Sequence, residues 1–257
     1  MVEELNFQNL FIQGAIKAGC LNTPTVIRGI VKRQQVKEAE TAKVDYFYMD
    51  TGYFGNFKTV GNPSGRKIWH RVVKNELQKS VLESWPSDRW EKLVKGDKRL
   101  RWPGWKKNGK SILLILPNPK SCNFFDLNYD VWYKETIDTI KANTDRPIIL
   151  RVKGSRGERN EYSIYDALDE GVFATVAFNS IAAMESIAYG VPAFVKVSCA
   201  AWPLASKDIN LIENPYYPDE QLVQQHCRSL AYGQFLEEEL VDGTAWRTLN
   251  NEINRKR

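Results

Sequence analysis

The second half of the chain switches repeatedly between short unbroken apolar runs and longer amphipathic stretches. Residues 111–116 are almost wholly apolar and are stopped by Pro117-Asn118-Pro119, the pattern of a buried strand. Residues 129–143 place Trp132, Thr136, Ile137 and Ile140 on one side of a helix. The alternation continues with a strand at 147–152, a short helix at 164–168 and a strand at 173–178. A helix at 181–189 and a strand at 193–197 complete it. This predicts a parallel sheet covered by helices on both faces, a Rossmann-like lobe whose ligands sit at the carboxyl ends of the strands. Residues 219–249 read as one or two helices that close the molecule.

The first half is less regular. Residues 6–43 read as helical, with Phe7, Leu10, Phe11, Gly14 and Ala15 on one face and a second pattern after Pro24. Residues 44–49 are rich in β-formers and predict a buried strand, followed by a loop from Asp50 to Asn56 that holds two glycines. Between 58 and 110, Gly61, Pro63, Gly65, Pro86, Gly96, Pro103, Gly104 and Gly109 punctuate the chain. That density predicts short elements and a boundary within 102–110. The expected division is a smaller mixed lobe at 1–108, a nucleotide-binding lobe at 109–225 and closing helices at 226–257.

With 257 residues, 43% hydrophobic and 26% charged, the chain has the makings of a folded core and is not a disordered protein. Its start lacks the basic and apolar stretches of a signal peptide, and no apolar run is long enough to span a bilayer. The four cysteines (Cys20, Cys122, Cys199, Cys227) show no paired spacing, and the two histidines, His70 and His226, stand apart from them. A cytoplasmic protein with no zinc site and no membrane partner is expected.

Charge alters this picture locally. Residues 58–110 carry fifteen Lys/Arg against five Asp/Glu, whereas 1–57 balance at zero and 111–257 carry −5. The same segment holds Trp69, Trp85, Trp90, Trp102 and Trp105. Cations among flat rings suit a polyanion whose bases can stack. Tyr53, Arg66, Lys67, Trp69, Arg71 and Lys74 are the candidate acceptor or nucleic-acid contacts. The other reading is a solvated basic surface with the tryptophans in the core beneath.

The segment 176–192 is the richest in chemistry. A strand ends near Phe178, Asn179 or Ser180 caps the next helix, and Gly190 with Pro192 ends it. Free N–H groups at that helix start, with the helix dipole, favour a phosphate. Glu185 lies roughly 7 Å along the helix, an offset that suits a ribose hydroxyl. A buried carboxylate there costs several kcal/mol unless it is paired, and a core Arg partner would make it purely structural. Arg151, Lys153, Arg156 and Arg159 follow the preceding strand; Arg151 and Lys153 are candidates for neutralising a diphosphate.

The run Asn179-Ser180, Glu185 and Gly190-Val191-Pro192 resembles the donor-site motif of GT-B-fold glycosyltransferases. It is most similar to the capsule-polysaccharide-type and phage-encoded members. The resemblance implies an α/β, GT-B-like fold with the Rossmann-like lobe second. It also implies Asn179 and Ser180 at the donor phosphates, Glu185 at the ribose, and a nucleotide sugar, with UDP the expected nucleotide, as co-substrate. No permanent cofactor or metal is expected. Where many relatives carry Arg-x-His-Pro, this chain has Arg151-Val152-Lys153-Gly154. Attack by an acceptor hydroxyl needs a general base. Asp50 is the first candidate, with a backbone-bonded turn as its other reading, and His70 is the second. The basic first lobe makes a hydroxymethylated pyrimidine in phage DNA the preferred acceptor, flipped from its duplex in the host cytoplasm. The alternatives are a glycan or capsule-type glycosyltransferase and a non-catalytic nucleic-acid-binding protein. A phosphotransferase of the commonest type would need a G-x-x-x-x-G-K-[ST] loop, which is absent.

Overall fold

In the sequence order of the second half, Ser111–Ile115 (β4), Ile148–Arg151 (β5), Val172–Ala177 (β6) and Ala193–Val195 (β7) pair in parallel, in the order β5-β4-β6-β7. The computed structural model describes residues 6–56, 69–152 and 163–250. The connections are helical: Pro119–Phe124 (α4) and Tyr129–Asn143 (α5), then Ile164–Asp169 (α6), then Ile181–Ala188 (α7). Strand side chains alternate between two cores. Ile112, Leu114, Ala174 and Val176 pack with Trp132 and Ile140 of α5, whereas Leu113, Ile115 and Ala177 pack with α6 and α7. The sheet is therefore parallel and covered on both faces, as the alternating pattern predicts.

The other sheet is mixed, in the order β1-β2-β3-β8. Thr25–Arg28 (β1) runs parallel to Tyr46–Thr51 (β2), which is antiparallel to His70–Lys74 (β3); Gln234–Phe235 (β8) is antiparallel to β3. Phe7–Lys17 (α1) lays Phe11 and Ala15 over one face, where Phe47, Met49, Val72 and Phe235 are buried. Each such large side chain contributes about 2 kcal/mol by leaving water. Arg33–Ala42 (α2) covers the other face through Val36 and Ala39 against Ile27, Tyr46 and Tyr48.

Three expectations are corrected here. The stretch 6–43 is not helical throughout, because the β-branched Thr25-Val26-Ile27 forms β1 by pairing with Tyr46, Phe47 and Tyr48. The strand expected at 44–49 runs two residues further, so Asp50 lies inside β2 and not in the loop beyond it. The tail holds more than two helices. Glu220–Ala231 (α8) packs on the parallel lobe, and β8 then joins the first sheet, followed by Glu237–Val241 (α9) and Thr244–Leu249 (α10) against α1. Among the described residues no helix is long and apolar enough to cross a membrane.

Asp88–Gly96 (α3) ties the two parts together. Arg89 reaches the carbonyls of Ala231 and Gln234 and the Glu239 carboxylate, at 3.0, 2.6 and 2.5 Å. Trp90 donates to Gln224 of α8 at 3.1 Å.

Candidate functional site

In the parallel sheet the chain steps from β4 outward to β5 and then back across to β6. The crevice where the order reverses lies between the ends of β4 and β6, the usual ligand position in an open α/β sheet. Two capped helix starts meet there. Asn118 accepts from the Ser121 N–H at the start of α4, and Ser180 accepts from the Ala182 N–H at the start of α7. The Ser121 hydroxyl donates to Asn179 Oδ1 at 3.1 Å and joins the two loops directly. Asn179, Ser180, Ile181 and Ala182 stay half-buried, so the turn is accessible. The first N–H groups of α7 have no partner within the helix.

Glu185 is 4% exposed, on a helix whose last six residues are buried. It faces α6: burial pushes the Tyr165 phenol well above its ordinary pKa, and the Glu185 charge adds to the rise. Tyr165 also lies under Arg99, whose guanidinium carbon is 4.5 Å from the ring centre and which pairs with Asp97 at 3.0 Å. Arg151 ends β5, half-buried, with its carbonyl accepting from the Leu116 N–H. It stands two strands from the Asn179 turn, about 10 Å across the sheet. Lys153, Arg156 and Arg159 lie outside the described residues, as do Arg66 and Lys67.

The first sheet supplies Asp50. Its carboxylate accepts from the Thr51 N–H (2.7 Å), the Tyr48 hydroxyl (3.1 Å) and Arg71 Nη2 (3.2 Å), and its side chain remains 35% exposed. Burial, reinforced by Asp50, pushes the Tyr48 phenol up, so it stays neutral and donates. Arg71 is buried and also donates to the carbonyls of Thr51 and Leu77 at 2.5 and 3.1 Å. One residue beyond Leu77, Gln78 Nε2 donates to the Asn179 carbonyl at 2.8 Å. Asp50 and the Asn179 turn are thus joined through Arg71 and two consecutive loop residues.

His70 is not part of this assembly. It neighbours Arg71 in β3, so it points to the opposite face, where its ring centre is 4.0 Å from that of Phe7. Its 4% exposure places it in the core under α1. The remaining expected acceptor contacts diverge as well. Tyr53 is buried, its hydroxyl accepting from the Lys79 N–H, and Trp69 is buried beneath Arg89 and Lys92. Lys74 is exposed and paired with Asp45 at 2.6 Å. Trp85 and Trp90 are core residues, and Trp102 and Trp105 are half-buried and packed edge-on. Trp69, Trp85 and Trp90 therefore pack into the protein, and Trp102 and Trp105 do so in part.

Sequence reasoning missed Gln78, Ser121 and Gln234. Ser121 carried a signal, since Asn118-Pro119 after a strand reads as an N-cap followed by proline in the first turn. Gln234 is fully buried and accepts from the N–H groups of Tyr53 and Phe54, fixing the loop after β2 from 180 residues away. No local pattern announces such a contact.

The solved structures that align with most of the chain include two of Thermosulfurimonas dismutans KpsC. The β-Kdo 2,4 transferase matches at 14% identity over 82% of this chain and 80% of that one, with a TM-score of 0.48. The β-Kdo 2,7 transferase matches at 12% identity over 93% and 88%, also with a TM-score of 0.48. No family model and no curated protein matches the sequence. Similarity of that depth assigns neither substrate nor residue roles, so the site rests on its own geometry.

Proposed function

We propose that this chain is a glycosyltransferase that moves a sugar from a nucleotide-sugar donor to an acceptor hydroxyl. The observation that carries the reading is the junction just described. A half-buried, capped helix start at the switch point of a parallel sheet is tied, through Gln78, Leu77 and Arg71, to a partly exposed carboxylate on the other sheet. In this reading the N–H group of Ile181 and the side chains of Asn179 and Ser180 face the donor phosphates, while the Ala182 N–H stays on the Ser180 cap. Arg151 and Lys153 add positive charge, and Glu185 holds the ribose. The acceptor hydroxyl attacks the anomeric carbon, its proton passes to Asp50, and the bond to the phosphate oxygen breaks. Charge then grows on the departing nucleoside phosphate, where the helix start and cations stabilise it. The sugar carbon passes through an oxocarbenium-like state.

For the acceptor we favour a saccharide hydroxyl, because Tyr53 and Trp69, the rings expected to meet a flipped base, are packed in the core. The excess of +10 over residues 58–110 supports the second reading, a DNA acceptor. The test is incubation with a panel of UDP-, GDP-, dTDP- and CMP-activated sugars, with release of the free nucleotide as readout. Glycan and hydroxymethylated-DNA acceptors are compared by mass. Release with a glycan and no steep salt dependence supports the first reading; binding that falls steeply with salt supports the second. No release from any donor with either acceptor overturns both.

A further inference from the structure

The Gln78 side chain bonds to two loops of the parallel lobe at once. Its amide nitrogen donates to the Asn179 carbonyl at 2.8 Å, and its amide oxygen accepts from the Ala200 N–H at 3.0 Å. Both partners are held from behind. The Asn179 side chain accepts from Ser121, and the Ala200 carbonyl lies 2.6 Å from Nε2 of the buried His226. The loops after β4, β6 and β7 and the helix α8 are thereby connected through one residue that belongs to neither. Gln78's own loop is fixed on each side, by Arg71 on the Leu77 carbonyl and by the Tyr53 hydroxyl on the Lys79 N–H. A primary amide presents donors and an acceptor in one plane. Glutamine can therefore satisfy a carbonyl and an N–H together. Glutamate at neutral pH can satisfy only the N–H, and methionine neither.

We infer that Gln78 is a positioning residue: it sets the placement of the Asn179-Ser180 turn, and so the direction in which the start of α7 presents its N–H groups. The consequence for nucleotide affinity rests on the donor-site reading above, while the placement of the turn does not. A partner from the first sheet gives that sheet control of the turn. Movement of the loop 75–80 is transmitted to the crevice without any contact between Asp50 and the donor.

The experiment uses the full chain with Gln78→Glu and Gln78→Met, read by amide deuterium exchange and by UDP and CMP binding in a calorimeter. At pH 7.5 Gln78→Glu keeps the acceptor for Ala200 and loses the donor for Asn179. Exchange is expected to rise in peptide 178–184 and stay unchanged in 199–203, whereas Gln78→Met raises both. Near pH 4.5 the new carboxyl begins to protonate and can donate again, so the exchange difference of Gln78→Glu narrows once intrinsic rates are corrected. Nucleotide affinity falls about tenfold at pH 7.5, the size expected for one well-placed hydrogen bond. A merely structural residue would instead loosen β4 and β6 together and show no pH rescue. Unchanged exchange at 178–184, an equal response in both peptides for Gln78→Glu, or a global rise each overturns the proposal. A wild-type protein that binds none of UDP, CMP, GDP and dTDP in the same calorimeter overturns the donor-site reading, and the exchange data still decide the role of Gln78.

Discussion

Arg71 stands directly across the β2–β3 pair from Asp50, and its guanidinium lies 3.2 Å from the carboxylate. It is the more deeply placed partner, with 6% of its side chain exposed against 35% for Asp50. It also satisfies the Thr51 and Leu77 carbonyls. Arg71→Met keeps the bulk and takes the guanidinium away from the Asp50 carboxylate and the Thr51 and Leu77 carbonyls together. We expect a loss of about 3 kcal/mol in urea unfolding, the lower end of the range for breaking a buried pair. A loss under about 1 kcal/mol would show that the guanidinium does not hold this corner.

Asp50→Asn separates chemistry from folding. The amide oxygen can still accept from the Thr51 N–H or the Tyr48 hydroxyl, but the side chain no longer takes a proton. If Asp50 is the base, turnover falls at least ~100-fold while the donor nucleotide binds as before. Near-normal turnover removes Asp50 from that role, and no other candidate base from the sequence is beside it, since His70 lies on the opposite face.

Glu185→Gln tests the ribose assignment. The substitution preserves shape within a helix segment that is almost wholly buried, so the melting temperature should move little. Nucleotide binding is expected to weaken about tenfold. Unchanged affinity with a lowered melting temperature would assign Glu185 to the core around Tyr165 instead.

The end of α7 depends on Gly190. Its N–H bonds to the Ile187 carbonyl and the Val191 N–H to that of Ser186, the paired bonds of a Schellman motif, with φ at 82°. A Cβ at this position would stand 2.1 Å from the Gly104 carbonyl oxygen. Gly190→Ala therefore combines a left-handed backbone with a backbone clash and should cost at least about 2 kcal/mol. In a chain of this size that is a fall of roughly 4–8 °C in a thermal melt. A shift of less than a degree would contradict the packing of α7 against the 103–106 segment.

What could be read from the sequence follows contact range. The parallel lobe was legible because its strands are short apolar runs that pair through local βαβ crossovers, and the capping signals at Asn179-Ser180 and Gly190 act within four residues. β1 was not, since Thr25–Arg28 is four residues long and becomes a strand only by pairing with β2. β8 is shorter still and pairs with a strand more than 160 residues earlier. The tryptophans misled for a related reason: Trp69 and Trp90 sit among cations in sequence, yet their rings are buried by Phe54, Leu93 and other residues of the core. At the site, the turn and Asp50 are visible as residue types, whereas Gln78 and Arg71, which connect them, are defined only by tertiary contact.

His226 gives the fold an acid-sensitive point. Burial lowers its pKa from 6.5 to about 4, Lys79 pushes the same way, and the Ala200 carbonyl and Glu83 oppose them only in part. Between pH 6.5 and 4 the unfolded chain takes up a proton that the folded His226 does not. The stabilisation is thus complete above pH 6.5 and is lost progressively as pH falls through this window, by up to about 3 kcal/mol. His226→Gln retains a donor for the Ala200 carbonyl and removes the titration. Urea unfolding at pH 7 and pH 4.5 should show the wild type losing more stability than His226→Gln over that interval. Equal losses in the two proteins would mean that His226 is not the group responsible, and that the α8–Ala200 contact is indifferent to its protonation.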